Sequence, residues 1–502
     1  MPVFRIDRRN LLAGGVSIPM TAIAPTAFAN AGSLPLLRLR PTVHTGAEQW
    51  SLRDRMSHYR VPGVAIAVVR AGQVVAVQGF GTRVFGVEAA IDADTLFSVG
   101  SVSKLASATL CLQLAASGIL DLDRDVNGYL KRWRVPAGSQ DDDRAVTLRM
   151  LLSHTSGFNV HGFADYAPGV PLPTLVQTLK GEHPAMNKAL ARIDPAGTRS
   201  RYSGGGYMIV QAVIEDATGD SFDTVANRLL FGPLGMLRSR FEAAPVQGIA
   251  NIAHAHDRDG KPVALPRGWQ SFPELAPSGL WTTASDLARM MVALSASYRR
   301  HGGFMPQELA VDMMTAVTPG FNGLGPRLAG EGTARIFHHA GANDSYKAYV
   351  EGNLASGDGL VVLTNGERGD VLGDEIRNAV SDAYRWPGDW SIELPAVPVA
   401  SLLDGYVGTY RRRADQDPLI MGFLDTGFSA DTIEIMRASD GLFIRSKGLD
   451  RKLVSIDNSD FVMPDGYVPA ATLMFRFARS ADRKVRHLRA IAGADVLVFD
   501  RV

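Results

Sequence analysis

The chain has 502 residues, 46% of them apolar and 21% charged, and a net charge of +1. That length accommodates two or three domains with cores large enough to need no covalent staples, and the balanced charge gives no reason to expect nucleic acid or an anionic membrane surface as a partner. The single cysteine, Cys111, excludes an intrachain disulfide and a Cys-based zinc site; its apolar neighbours mark it as a buried small hydrophobe rather than a nucleophile.

The chain opens on Arg8-Arg9 followed by a weakly apolar segment and the small-x-small triplet Ala27-Phe28-Ala29. This pattern predicts a twin-arginine export signal over residues 1–29, cleaved after Ala29, and a protein that works in the periplasm. Gly14, Gly15, Pro19 and Pro25 interrupt the apolar segment, so no stable membrane span is expected from it.

Residues 45–385 read as one domain. Gln49–Tyr59 has helical spacing. Two β-branched runs within residues 64–79 flank Arg70-Ala71-Gly72, a hairpin signal. Residues 102–117 are rich in Ala, Leu and Ser and stop at Gly118, which predicts a mostly buried helix. Helical spacing returns over Ile209–Thr218 and Asp286–Leu294. Tyr346–Val350 and Gly359–Leu363 read as strands, and Asp370–Tyr384 as a helix. The expected fold class is therefore α+β: an antiparallel sheet built from both ends of the domain and flanked by helices, with a helical middle forming a second lobe and a ligand groove between the two. The Pro-rich residues 386–399 read as a linker. Beyond them, Thr432–Arg437, Leu442–Arg445, Leu473–Phe477, Val485–Ile491 and Val496–Phe499 alternate at period two, so residues 400–502 are expected to form a small β-sandwich or barrel.

Chemistry concentrates at Ser101 and Lys104. Three residues apart on a helix, their side chains meet on one face. Ser101 follows Gly100, where the chain can turn sharply, and its N–H is an unpaired donor at the helix start. One residue could thus supply a nucleophile and an oxyanion donor. Lys104 would have to act as a base, which requires its pKa to fall about three units, a bias on the order of 4 kcal/mol against the charged form. Burial without a carboxylate gives a bias of that sign, and between Thr95 and Leu120 the chain carries no acidic residue. Tyr202, in RYSGGGYM, could shuttle protons if cations hold its pKa down. In HHAGAND, which starts at His338, a glycine lets backbone approach a ligand. His254-Ala255-His256-Asp257 has no evident third ligand, and neither a metal nor another cofactor is expected.

Ser101-x-x-Lys104, Tyr202-x-Gly204 and His339-Ala340-Gly341, in that order and rough spacing, resemble the motifs of the serine β-lactamase and penicillin-binding protein superfamily. They look most like its class C branch, which includes D-Ala-D-Ala carboxypeptidases, D-aminopeptidases and esterases. The flanking LLSHTSGF, DPAGTRSRYS, FGPLGM and SGLWTTASDLARM agree, and the resemblance covers about residues 45–385, with 400–502 resembling an accessory β domain. The resemblance implies that Ser101 is acylated and that Lys104 and Tyr202 share general base and acid duty. The N–H groups of Ser101 and Ala342 would form the oxyanion hole, and Gly204, His339 and Gly341 would face the substrate. It differs from the family's usual pattern at Gly204, where an asparagine often holds the substrate amide, and at His339, where many β-lactamases have lysine. Both differences count against an efficient β-lactamase. The expected function is a serine hydrolase acting through an acyl-enzyme on esters or small amides and peptides. β-Lactamase or carboxypeptidase activity, and a non-catalytic sensor of cell-wall peptides or a partner protein, are the alternatives. The sequence leaves substrate and oligomeric state open.

Overall fold

The computed structural model describes residues 34, 37–44, 46, 48–138, 144–167, 169–243, 249–263, 271–301, 303–343, 345–388, 390–394, 400–414, 431–438, 441–446, 449–457, 459–468, 471–479, 485–492 and 495–502. The export signal expected over residues 1–29 and residues 389 and 395–399 of the expected linker lie outside the described residues.

Helix α1 (Leu52–Tyr59) starts at Ser51, whose side chain and that of Asp54 form a reciprocal capping box. The hairpin follows. Strands β1 (Gly63–Arg70) and β2 (Gln73–Gly81) are joined by Ala71-Gly72, both at positive φ (49° and 77°), as a two-residue turn with the right twist requires. Helix α2 (Ser103–Ala116) is preceded by a single 3₁₀ turn, Gly100–Val102. The middle of the domain is helical, with α3 (Gly204–Thr218), the short α4 (Leu275–Ser278) and α5 (Ala284–Arg299) among its elements. The chain then returns to the sheet through β3 (Arg327–Ala329), β4 (Ile336–Ala342), β5 (Lys347–Asn353) and β6 (Gly359–Thr364), and α6 (Gly369–Tyr384) closes the domain.

The sheet runs β2-β1-β6-β5-β4-β3 and is antiparallel throughout. β1, from the start of the domain, pairs with β6, from its end, with Val69 opposite Gly359 and Val64 opposite Thr364. The expectation of one sheet built from both chain ends is met. Both faces are covered, which is why β1 and β6 carry unbroken apolar runs rather than alternation. Val64, Ile66, Val68, Leu360 and Val362 pack under α1 and α6, against Met56, Leu372, Ile376 and Val380. Ala65, Ala67, Val69, Val361 and Leu363 face the large core shared with α2, α3 and α5. A buried pair, Arg55 to Glu375 at 2.6 and 2.7 Å, joins α1 to α6, and the Tyr59 hydroxyl donates to the same carboxylate.

The C-terminal strands form a closed antiparallel barrel: β7 (Gly408–Arg412), β8 (Thr432–Ala438), β9 (Gly441–Ser446), β10 (Leu449–Ser455), β11 (Asp460–Val468), β12 (Ala471–Arg479), β13 (Val485–Ala492) and β14 (Asp495–Arg501). Each pairs with the next, and β14 pairs back onto β7. Of the two architectures the alternation allowed, it is the barrel. Alternate residues such as Ile433, Ile435, Phe475, Phe477, Leu497 and Phe499 fill its interior, and closure leaves no free strand edge.

Candidate functional site

Gly100 takes φ +47°, the left-handed turn that aims the chain into α2. Ser101 therefore sits in the 3₁₀ turn before the α-helix proper, and Lys104 in the first α-turn. The Lys104 Nζ donates to Ser101 Oγ at 3.0 Å and to the Pro277 carbonyl of α4 at 2.9 Å. Ser107, one turn on, donates to the neighbouring Ala276 carbonyl at 2.8 Å. α4 thus lies along α2 as a row of carbonyls that orients the lysine without giving it a counter-ion.

Lys104 is 1% exposed. Burial pushes its pKa below the ordinary lysine value, and the Arg327 cation adds to that; the Tyr202 phenol opposes it. Burial alone would raise the pKa of Tyr202. The charges of Lys104 and Arg327 and hydrogen bonds with Ser101 and Lys104 bring it below the ordinary tyrosine value instead. Lys104 Nζ lies 5.0 Å and Arg327 Cζ 5.5 Å from the centre of the Tyr202 ring. Two positively charged side chains therefore flank the phenol, which favours its ionised form.

The third part of the arrangement is the end of β4. Asn343 N–H donates to Tyr346 O at 3.1 Å, closing the β4–β5 hairpin. Antiparallel alternation then makes Ala342–Lys347 a non-hydrogen-bonded pair, with the Ala342 N–H and C=O turned away from β5. They face the Ser101 turn: a Cβ on Gly100 would lie 2.8–2.9 Å from the C, O and N atoms of Ala342, and one on Gly341 only 2.0 Å from Val99 O and 3.0 Å from Ser101 N. Two glycines allow two backbones to touch. The Asn343 side chain, bonded to Ser98 Oγ, ties the strand end to the same turn.

Ser101, Lys104, Tyr202, Gly341 and Ala342 line one cavity of about 320 Å³. His161, Phe163, Arg327, Lys347, Tyr349, Asp370 and Asp374 line it too. Two expected substrate-side residues do not. His339 is 1% exposed and outside the lining; burial and the charges of Arg327 and Lys104 hold its pKa well below the ordinary histidine value, so it is neutral. Arg327 on neighbouring β3 is the arginine that lines the cavity. Gly204 lies behind Phe163, whose Cε2 and the His161 carbonyl would each be 3.0 Å from a Cβ there. Arg327 escaped sequence reading because its strand has only three residues between Gly325-Pro326 and Gly330. His161, Lys347 and the two aspartates carry no local pattern. Both ring nitrogens of His256 are engaged, Nε2 by Phe85 N–H and Nδ1 by Asn365 O, each at 3.0 Å, which accounts for that histidine as structural. Among the described residues no group of acids, histidines and cysteine has the arrangement of a metal site.

Comparison with known proteins gives this geometry its family. The family model described as Beta-lactamase matches residues 51–384. The chain belongs to the Beta-lactamase family. This family of serine hydrolases includes relatives named for several activities. Esterase EstB of Burkholderia gladioli is 29% identical over 58% of this chain and 77% of its own length. Penicillin-binding protein 4 of Amycolatopsis lactamdurans is 30% identical over 46% of this chain and 59% of its own. Among solved structures, the octameric penicillin-binding protein homologue from Pyrococcus abyssi aligns with a TM-score of 0.57 at 20% identity, over 89% of this chain and 98% of that one. SurE with D-Leu aligns at 0.53 and 23% identity, over 90% and 97%. These last likenesses are of fold, and coverage of that extent cannot be reached without the barrel strands.

Two predictions follow from the β-lactamase-like site. Gly341→Ala forces a methyl into the main chain of the Ser101 turn, so covalent labelling of Ser101 by a small fluorophosphonate falls at least about a hundredfold, the scale of a 1 Å misplacement, while far-UV circular dichroism stays native; labelling within threefold of wild type contradicts the close-contact argument. The second concerns Glu274, at the start of α4. Both of its carboxyl oxygens are buried without a hydrogen-bond partner among the described residues, and burial pushes its pKa up to about 8. A carboxyl raised in the folded state contributes stability that is full below its unfolded pKa of 4.5 and is lost as pH rises through about 8. Thermal melting of Glu274→Gln, compared with wild type, gains steadily from pH 4.5 to pH 8 and then levels; a constant difference at pH 5 and pH 8 refutes the raised pKa.

Proposed function

We propose that this serine hydrolase works through an acyl-enzyme on Ser101, with esters and small amides or peptides as substrates and esters favoured. The observation that carries the reading is Lys104, buried, with its Nζ 3.0 Å from Ser101 Oγ and 2.9 Å from the neutral Pro277 carbonyl, and with the Tyr202 phenol as a further hydrogen-bond partner. Ser101 Oγ attacks the acyl carbon, and its proton passes to the Lys104/Tyr202 pair. The carbonyl oxygen takes up negative charge between the N–H groups of Ser101 and Ala342. The proton then goes to the departing alcohol or amine as the C–O or C–N bond breaks. Water repeats the sequence on the acyl-enzyme, returning the proton to Ser101 and releasing the acid. Arg327 keeps Tyr202 in the range where it exchanges this proton, a duty the neutral His339 does not perform.

Gly204 favours esters. It offers no side chain to hold a substrate amide, and the Phe163 ring occupies the adjacent space. The name of the relative EstB points the same way. Arg327, as a cation lining the cavity, also suits a substrate carboxylate, which keeps the peptidase or carboxypeptidase reading in play. A non-catalytic sensor would have no need of a lysine desolvated beside a serine. No described helix is long and apolar enough to cross a membrane.

The test is intact-mass spectrometry after exposure to a small fluorophosphonate, with peptide mapping. One adduct on Ser101 is expected, together with loss of ester hydrolysis by at least about a thousandfold in Ser101→Ala with an unchanged melting temperature; an active Ser101→Ala protein ends the assignment. We also propose export through the twin-arginine signal. Fractionation of a Gram-negative host should yield periplasmic protein beginning at Asn30, and Arg8→Lys/Arg9→Lys should hold it unprocessed in the cytoplasm. Periplasmic recovery of that variant in wild-type amounts would argue against the route.

A further inference from the structure

The segment LLSHTSGF, residues 151–158, runs beside DPAGTRSRYS, residues 194–203. Main-chain bonds join them: Gly197 N–H to Thr155 O at 2.8 Å and Arg201 N–H to His154 O at 2.6 Å. His154 then adds its side chain. Its Nδ1 accepts the Ser203 N–H at 3.1 Å, and its ring lies 4.3 Å from the Tyr202 ring at an interplanar angle of 33°. One residue thus holds the neighbours of Tyr202 on both sides and packs against its face. It does so from φ +62°, a strained conformation for a residue with a Cβ, and from 2% exposure. Because Nδ1 accepts, the ring proton is on Nε2, an atom with no hydrogen-bond partner among the described residues. Burial, then Lys104, His339, Arg327 and His161, all disfavour a charged ring. His154 is therefore a neutral ring that neither offers nor takes a proton near pH 7.

We propose that His154 is the positioning residue for Tyr202: its carbonyl and Nδ1 clamp residues 201 and 203, and its ring sets the phenol so that the hydroxyl lies between Ser101 and Lys104. This rests on the assignment of proton transfer to Tyr202 made above. His161 also packs on the Tyr202 ring, at 5.0 Å, but its carbonyl takes the Gly204 N–H, beyond the residues that adjoin Tyr202, and the strain at His154 is placed where such a clamp needs it.

The test follows the rate of Ser101 labelling by a small fluorophosphonate against pH in wild type, His154→Gly and His154→Asn, each alone and with Tyr202→Phe, alongside melting curves. Glycine keeps the positive φ but removes acceptor and ring. Asparagine tolerates positive φ and offers an acceptor to Ser203 N–H. The expected result is a loss of about a hundredfold in His154→Gly with a basic limb displaced by about one pH unit, and recovery of about tenfold in His154→Asn. In the Tyr202→Phe background either change costs less than threefold, because both act through the same hydroxyl. A folded His154→Gly with the wild-type rate and profile overturns the inference, as does full additivity with Tyr202→Phe. Should His154→Gly fail to fold, His154→Asn decides: a tenfold loss with a displaced profile supports the clamp, and wild-type behaviour overturns it. A wild type that is never labelled is a different failure, because it removes the acyl-enzyme reading itself.

Discussion

Everything in the site depends on the desolvation of one lysine. In water Lys104 would be an ammonium and useless as a base; buried beside Ser101 with a neutral carbonyl as its second partner, it holds its proton loosely. The surrounding architecture serves that condition. Beyond Lys104, α2 carries no charged residue for about three turns, so it can be buried against the core. α4 supplies carbonyls where an ordinary protein would place a carboxylate. Arg327 adds positive charge that lowers the pKa of Lys104 and, in the same sense, that of Tyr202. One field thus lowers both pKa values, favouring the neutral amine of Lys104 and the ionised phenol of Tyr202.

The glycines Gly100 and Gly341 solve a different problem. The Ser101 turn and the end of β4 meet at van der Waals distance, and side chains at these two positions would hold the segments apart. A strand edge with its outward N–H at Ala342, set against a turn that exposes its own donors, has the form that the proposed anion site requires, made of backbone. Its rigidity comes from the sheet behind it, whose other face is locked under α6.

How much of this the sequence disclosed follows from how local each signal is. The hairpin around Arg70-Ala71-Gly72 and the helix after Gly100 are written in contiguous residues, and both are found within a few positions of their expected ends. Ser101, Lys104 and Tyr202 were legible because their motifs are local and their order is a family's. His339 misled: its place in the motif suggested a substrate contact, whereas cross-strand packing buries it and gives the lining position to Arg327, a relation that exists only once β3 pairs with β4. In the barrel, β7, β10 and β11 went unread. β10 carries three charges in seven residues, and β11 contains Pro464 and a register shift between Val462 and Tyr467, so neither shows clean alternation. The barrel itself, rather than a sandwich, is decided by the pairing of β14 with β7, which no local pattern encodes.

The pairing of β1 with β6 has a kinetic meaning. Val69 and Gly359 stand opposite one another, and the whole helical lobe is looped out between them. The nucleophile lies in that excursion, while the strand that would complete its anion site is laid down only after it. A nascent or partly folded chain therefore carries the serine and the lysine without the environment that activates either. The arrangement that surrounds Ser101 and Lys104 is complete only when the contacts most distant in sequence have closed.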